Sequence, residues 1–277
     1  MNRNMTEIKT FLATALICCS AALCLAGEQV EAKLLIKGAE EGSMDENGVL
    51  FSVTPDDDGF QWIEADGKRI AEGTSLLPVP GTSCVVYLSP GIFPDVILRD
   101  NVSGKETAIL KNNPIDSPLF VLSDGRIVWI DENGKTVAYD VKKNQVIDDF
   151  PALPTNTIAL SPDGKIVAVS TEENGVRSLN LVSVADGKTI AELPFPPRQG
   201  TIQVGGRHSP SFAPDGKFLV LIRAGIQPEA DVELYEIATG KLSSLTSDHA
   251  EYRLPRFSAD GKSVLAGSVN GLVQLIL

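Results

Sequence analysis

The chain has 277 residues, 43% of them hydrophobic and 22% charged, with 24 Gly and 17 Pro, a composition that buries a core and excludes a disordered or low-complexity polymer. Its 24 Lys and Arg are outnumbered by 36 Asp and Glu, for a net charge of -12. Such a surface repels phosphate backbones, so no nucleic acid is expected as a partner.

The first element in chain order is a leader. Met1 to Thr10 carry Arg3 and Lys9, Phe11 to Gly27 are apolar or small throughout, and polar Glu28 and Gln29 follow. That order reads as an export signal, and Cys24-Leu25-Ala26 places small residues where a signal peptidase inspects them. A signal peptide is therefore expected over residues 1–26, cleaved after Ala26, with an uncleaved membrane anchor as the alternative. Lipidation is disfavoured, because Cys18, Cys19 and Cys24 follow Ile17, Cys18 and Leu23 instead of a small residue. The mature chain, 27–277, then carries 22 Lys and Arg against 35 Asp and Glu, a charge of -13, and the single cysteine Cys84. An extracytoplasmic, periplasmic or secreted domain with no disulfide must be held by packing alone. Cys84 lies in the apolar run Cys84 to Leu88 and reads as a small buried hydrophobe. No membrane span is expected after cleavage, and a monomer is expected.

Beyond Ala32 to Ile36, which read as a strand, the chain repeats. Thr157 to Ser170 read T-I-A-L-S-P-D-G-K-I-V-A-V-S: strand, four-residue turn, strand. Pro162 presets φ for the first turn position, Asp163 bonds its own backbone, and Gly164 takes a positive φ. Ser209 to Ile222, Leu254 to Ser268 and Pro118 to Ile130 repeat the phrase, with weaker copies around Gly48 and Gly81. The turn glycines at 48, 81, 125, 164, 216 and 261 are spaced by 33, 44, 39, 52 and 45 residues, the periods of propeller blades. A second tight turn follows in each complete unit, at Gly67, Gly104, Asn144, Gly187 and Gly240, so each unit has four strands. The sixth unit stops before its outermost strand, and Ala32 to Ile36 resemble that missing element. The expected fold is all-β: a six-bladed β-propeller over 27–277, with the last blade closed by the N-terminal strand, which removes two sheet edges.

The phrase x-P-x-F-(S/A)-x-D-G-K, at Ser209 to Lys217 and at Leu254 to Lys262, resembles the repeat of TolB-type six-bladed propellers, a WD-repeat-like family. The resemblance covers the whole mature chain and implies the fold. It is nearly silent on function, since propellers serve as scaffolds, lectins, lyases and lactonases. TolB proteins also carry an α/β domain ahead of the propeller, for which residues 27–40 leave no room.

Chemical motifs are scarce. There is no G-x-S-x-G, His208 and His249 lack zinc-pair spacing, and Asp56 to Gly59 and the two D-E-N-G stretches at Asp45 and Asp131 lack the downstream carboxylate of a calcium loop. They read as solvated turns. Trp62 and Trp129 lie in strands and read as packing groups.

One constellation points to a ligand. The eighth residue before each turn glycine reads Glu40, Gly73, Ser117, Asn156, His208 and Arg253, and residues at one offset in equivalent blades form a ring. Glu40, Glu41, Asn156, His208 and Arg253 are therefore the candidate ligand-binding residues at the channel mouth, with Arg253 matched to a carboxylate. Asn156 to Gly164 also resemble a segment of gluconolactonase-like propellers, and Glu41-Gly42 their first acidic ligand. That resemblance implies a metal held by Glu41 and Asn156, yet His208 stands where a further carboxylate is expected. Within the long fourth spacing, Arg198 and Arg207 form a candidate partner loop. The favoured reading is an exported, non-catalytic propeller that binds a protein or small anionic ligand at its channel face, with no cofactor. The alternative is a metal-assisted lactonase or lyase using calcium or zinc.

Overall fold

The repeated turn is built from its own side chains. In Ser161 to Ile166 the Ser161 N–H donates to the Ile166 carbonyl and Gly164 N–H to the Ser161 carbonyl. The Ser161 hydroxyl accepts from the Lys165 and Ile166 amides and donates to Asp163, whose carboxylate accepts again from Lys165 N–H. Ser258 to Ser263 repeat this arrangement. Gly48, Gly81, Gly125, Gly164, Gly216 and Gly261 all have φ between 67° and 88°, a region that costs a residue with a Cβ.

In this computed structural model the described residues are 30–111, 118–147, 149–173, 176–193, 209–224, 230–248 and 250–277. Residues 1–29, which include the expected signal peptide at 1–26, lie outside them, as do Ser117, Arg198, Arg207, His208 and His249. The described elements are all strands. After β1 (Glu31–Lys37), blade 1 contains β2 (Glu41–Met44), β3 (Leu50–Pro55), β4 (Gln61–Ala65) and β5 (Lys68–Glu72); blade 2 contains β6 (Thr74–Pro78), β7 (Cys84–Leu88), β8 (Val96–Asp100) and β9 (Glu106–Leu110). Blade 3 has β10 (Phe120–Val121), β11 (Arg126–Ile130), β12 (Thr136–Asp140) and β13 (Gln145–Ile147); blade 4 has β14 (Thr157–Leu160), β15 (Ile166–Glu173), β16 (Val176–Ser183) and β17 (Thr189–Leu193). Blade 5 has β18 (Ser211–Phe212), β19 (Phe218–Ala224), β20 (Ala230–Glu236) and β21 (Lys241–Ser244), and blade 6 has β22 (Arg253–Phe257), β23 (Ser263–Ser268) and β24 (Gly271–Ile276).

Each blade is a four-stranded antiparallel meander, and the last has the order β1-β24-β23-β22. The N-terminal strand closes the ring as its repeat pattern predicts, pairing from Glu31 opposite Ile276 to Lys37 opposite Gly271. The second strand of a blade packs on both faces; Ile127, Val128, Trp129 and Ile130 of β11 are all buried, as their unbroken apolar run requires. Trp129 packs at the seam between blades 2 and 3 with Val86 and Leu98.

One hydrophobic cluster fills each of the six seams. The seam of blades 5 and 6 buries Val220, Ile222, Val264 and Leu275 among others. The closing seam of blades 6 and 1 fully buries only Ala39, Leu265 and Leu272. Backbone approaches fill part of the difference: a Cβ on Gly267 would overlap the Glu40 carbonyl oxygen, with the carbonyl carbon 3.0 Å away.

Candidate functional site

The innermost strands, β2, β6, β10, β14, β18 and β22, stand around the axis and enclose a channel of about 600 Å³. Each strand enters its hairpin at an equivalent residue: Asp45, Val79, Leu122, Ser161, Ala213 or Ser258. Two residues before these stand Ser43, Leu77, Phe120, Ala159, Ser211 and Arg256, and all six line the channel. Most of the remaining wall is apolar, with Val79, Leu119, Ile158, Leu160 and Phe212 beside Pro80, Pro162 and Pro214, and Ser75, Thr82, Ser123 and Ser209 add hydroxyls. Asp45 and Glu46 lie at the hairpin end of the channel. Cys84 lines it too, and burial pushes its thiol pKa upward, which favours the unreactive protonated form.

Four residues before the hairpins of blades 6, 1 and 2 stand Leu254, Glu41 and Ser75. Leu254 and Ser75 have φ of 46° and 56°, and both strands shift register there. Left-handed backbone at side-chain-bearing residues costs of order 1–3 kcal/mol and is retained where the surroundings demand it. At Ser75 the consequence is visible, because the bulge turns its N–H to Glu41 Oε2 at 3.2 Å. From the other side Arg256 Nη2 lies 3.5 Å from Glu41 Oε1. The Glu41 side chain is only 7% exposed. Burial raises its pKa above the ordinary carboxylate value, while the Arg256 charge and the Ser75 and Leu76 amides pull the other way. Arg256 Nε is buried and has no hydrogen-bond partner in the structure, so this guanidinium has donor capacity to spare at the channel wall.

The structure treats the sequence-predicted site residues differently. Glu41 is buried behind the channel wall, against Arg256 and Ser75, which do line the channel. Half-buried Glu40 accepts a hydrogen bond from Gln61 Nε2 at 3.3 Å. Asn156 is exposed and spends its amide on the Ser170 carbonyl at 2.6 Å. Arg253 lies 3.7 Å from Glu251 and is absent from the channel lining. His208, Arg198 and Arg207 fall outside the described residues. In blade 2 the ring position corrects by one residue: Val79 N–H bonds the Cys84 carbonyl, which sets Gly81 one place earlier in its turn than Gly164, so Thr74, not Gly73, is equivalent to Glu40. The channel arginine that the offset misses is Arg256, five residues before Gly261 instead of eight. The register shift of β22 between Arg253 and Arg256 inserts an extra residue there, so a fixed count from the turn glycine does not carry across it.

The calcium-loop fragments are spent locally. Asp45 Oδ1 accepts from Asn47 and Val49 amides, Asp131 Oδ1 from Asn133 and Lys135, and Asp56 Oδ1 from Asp58 and Phe60. Among the described residues no group of three or more His, Cys, Asp or Glu could hold a metal ion.

No family model matches the chain, and no curated protein does. Solved structures do: 1039 chains match, so likeness at this level identifies an architecture and not a ligand. TolB from Acinetobacter baumannii is 18% identical with a TM-score of 0.51, over 82% of this chain and 60% of that chain. U3-55K is 11% identical with a TM-score of 0.49, over 85% of this chain and 80% of that chain. The chain thus has the fold of a TolB-like six-bladed β-propeller and spans 60% of the length of the TolB chain it matches.

Proposed function

We propose that this chain is a binding module whose axial channel takes an anionic group carried on an apolar body, such as a small carboxylic acid or the C-terminal residue of a protein. One observation carries this reading: Arg256, with a buried and unpartnered Nε, lines an otherwise largely apolar channel of about 600 Å³. Sites of a few hundred Å³ with apolar walls and a few polar groups fit small ligands. The apolar wall favours a hydrocarbon body over a sugar. We further infer that the protein works outside the cytoplasm, on the strength of the leader pattern in Met1 to Gln29.

Decanoate is a direct probe, with decanol as its neutral counterpart. A hydrogen bond to a charged group contributes about 1.5–3 kcal/mol, so decanoate should bind roughly 10- to 150-fold more tightly than decanol in calorimetric titrations. Arg256→Gln should abolish that preference. Equal binding of the two probes, or an unaltered preference in a folded Arg256→Gln protein, refutes the reading.

A further inference from the structure

We propose that Glu41 and the incoming anion compete for Arg256, so that the channel takes up a proton from solvent as it binds the anion; this rests on the ligand reading above. Glu41 Oε2 is held by the Ser75 amide, a bond that does not depend on Arg256. Its other oxygen, Oε1, lies 3.5 Å from the guanidinium, which is the carboxylate's charged partner beside the neutral Ser75 and Leu76 amides. An anion in the channel that draws the guanidinium toward itself leaves the buried Glu41 carboxylate without its counter-charge. Two anions on one arginine in a low-dielectric site cannot both stay charged cheaply. The proton comes from the buffer and ends on Oε1.

The surroundings leave little else to absorb the charge. The elements packed on β2 are β3, β6, β22 and β23. Of these, β3, β6 and β23 contain no ionisable residue, and β22 contributes only Arg253 and Arg256. Arg253 is turned to Glu251, and neighbouring Glu40 is bonded by Gln61. Asp45 and Glu46 follow β2 at the hairpin end, where Asp45 is held by its own turn.

The test uses decane-1-sulfonate, an anion that stays ionised and so cannot itself supply or take the proton. It is titrated into the whole protein at pH 7 in phosphate and in Tris, which release different heats on giving up a proton. The expected result is uptake of close to one proton per sulfonate and affinity rising about tenfold for each unit fall from pH 8 to pH 6. Glu41→Gln should bind the sulfonate with the same heat in both buffers and no pH dependence. Sulfonate binding without proton uptake overturns this proposal and leaves the channel as an anion site. Uptake that persists in Glu41→Gln also overturns it. If neither sulfonate nor decanoate binds, the ligand reading fails, and the coupling with it.

Discussion

Replacing Gly267 by Ala tests the closing seam of the ring, because nothing but space prevents a side chain there. Gly267 sits in β23 opposite Arg253 and Leu272, and its φ is not in the left-handed region. An added Cβ would overlap the Glu40 carbonyl oxygen and lie 3.0 Å from its carbon. Relief requires a backbone shift of blade 1 against blade 6, for which overpacking costs of about 1–3 kcal/mol are usual. In a domain of this size each kcal/mol moves the melting temperature by roughly 2–4 °C, so a fall of roughly 2–12 °C is expected by calorimetry. Gly42→Ala is the internal comparison. Its Cβ would meet the Leu272 side chain, whose Cγ is 3.0 Å away, and a side chain can turn aside more easily than a backbone. Gly267→Ala should therefore be the more destabilising of the two. An unchanged melting temperature, or the reverse order, refutes the argument that backbone contact sets this seam.

Deleting Lys33 to Gly38 removes most of the ladder that pairs β1 to β24; with net hydrogen bonds of about 1 kcal/mol each, the loss should reach several kcal/mol and lower the melting temperature sharply, and unchanged cooperative unfolding would defeat the closure model. Calcium or zinc up to millimolar concentration should leave the melting temperature unmoved, since Asn156 and both Glu41 oxygens are already engaged; a rise with metal concentration would instead support the lactonase-like alternative. The Asp56 pKa is lowered from 3.8, foremost by the Trp62 indole N–H, against some burial. A depressed carboxyl stabilises the fold above its unfolded value and loses that contribution as pH falls through the folded one, so Trp62 fluorescence in a Trp129→Phe background should hold steady from pH 7 to 4 and change below 3.8. A change centred near pH 5 would show that Asp56 is not held by the indole.

The fold was legible because the repeated phrase carries its mechanism in four residues. Ser161, Asp163, Gly164 and Lys165 each do a separate job in the turn, and the same residues recur at Ser258 to Lys262. The closing strand was legible for a related reason, since the sixth unit lacks a fourth strand that Ala32 to Ile36 resemble. The site was harder. A fixed offset from the turn glycine holds only while strands stay regular, and β6, β14 and β22 each shift register within the segment that was counted. Every bulge adds a residue and reverses the facing of what precedes it. The count therefore reached Arg253 on the far side of the Leu254 bulge and passed over Arg256. In blade 1 the count gives Glu40, whose chain neighbour Glu41 is the buried partner of Arg256, and β2 pairs with β3 without a shift from Glu41 to Met44. No sequence pattern announces that Leu254 or Ser75 will adopt positive φ, since neither is Gly, Asn or Asp.

The position of the Glu41–Arg256 pair couples the site to the closure of the ring. Arg256 belongs to blade 6, Glu41 to blade 1 and Ser75 to blade 2, so one carboxylate spans three blades. The seam it crosses is the one with the fewest fully buried apolar residues, and it contains the buried and unpartnered Ser52 hydroxyl. A buried ion pair contributes little net stability when its desolvation is counted, yet removing one partner is costly. It therefore specifies how blades 6 and 1 meet more than it strengthens the contact. Any event that draws Arg256 away from Glu41 also loosens the cross-seam contact, while the β1 ladder, on the outer side of blade 6, continues to hold the ring shut. Under the proposed reading, a ligand that binds only the folded ring still stabilises it overall, but by drawing on Arg256 it gives up the cross-seam contact and leaves more of the closure to the β1 ladder.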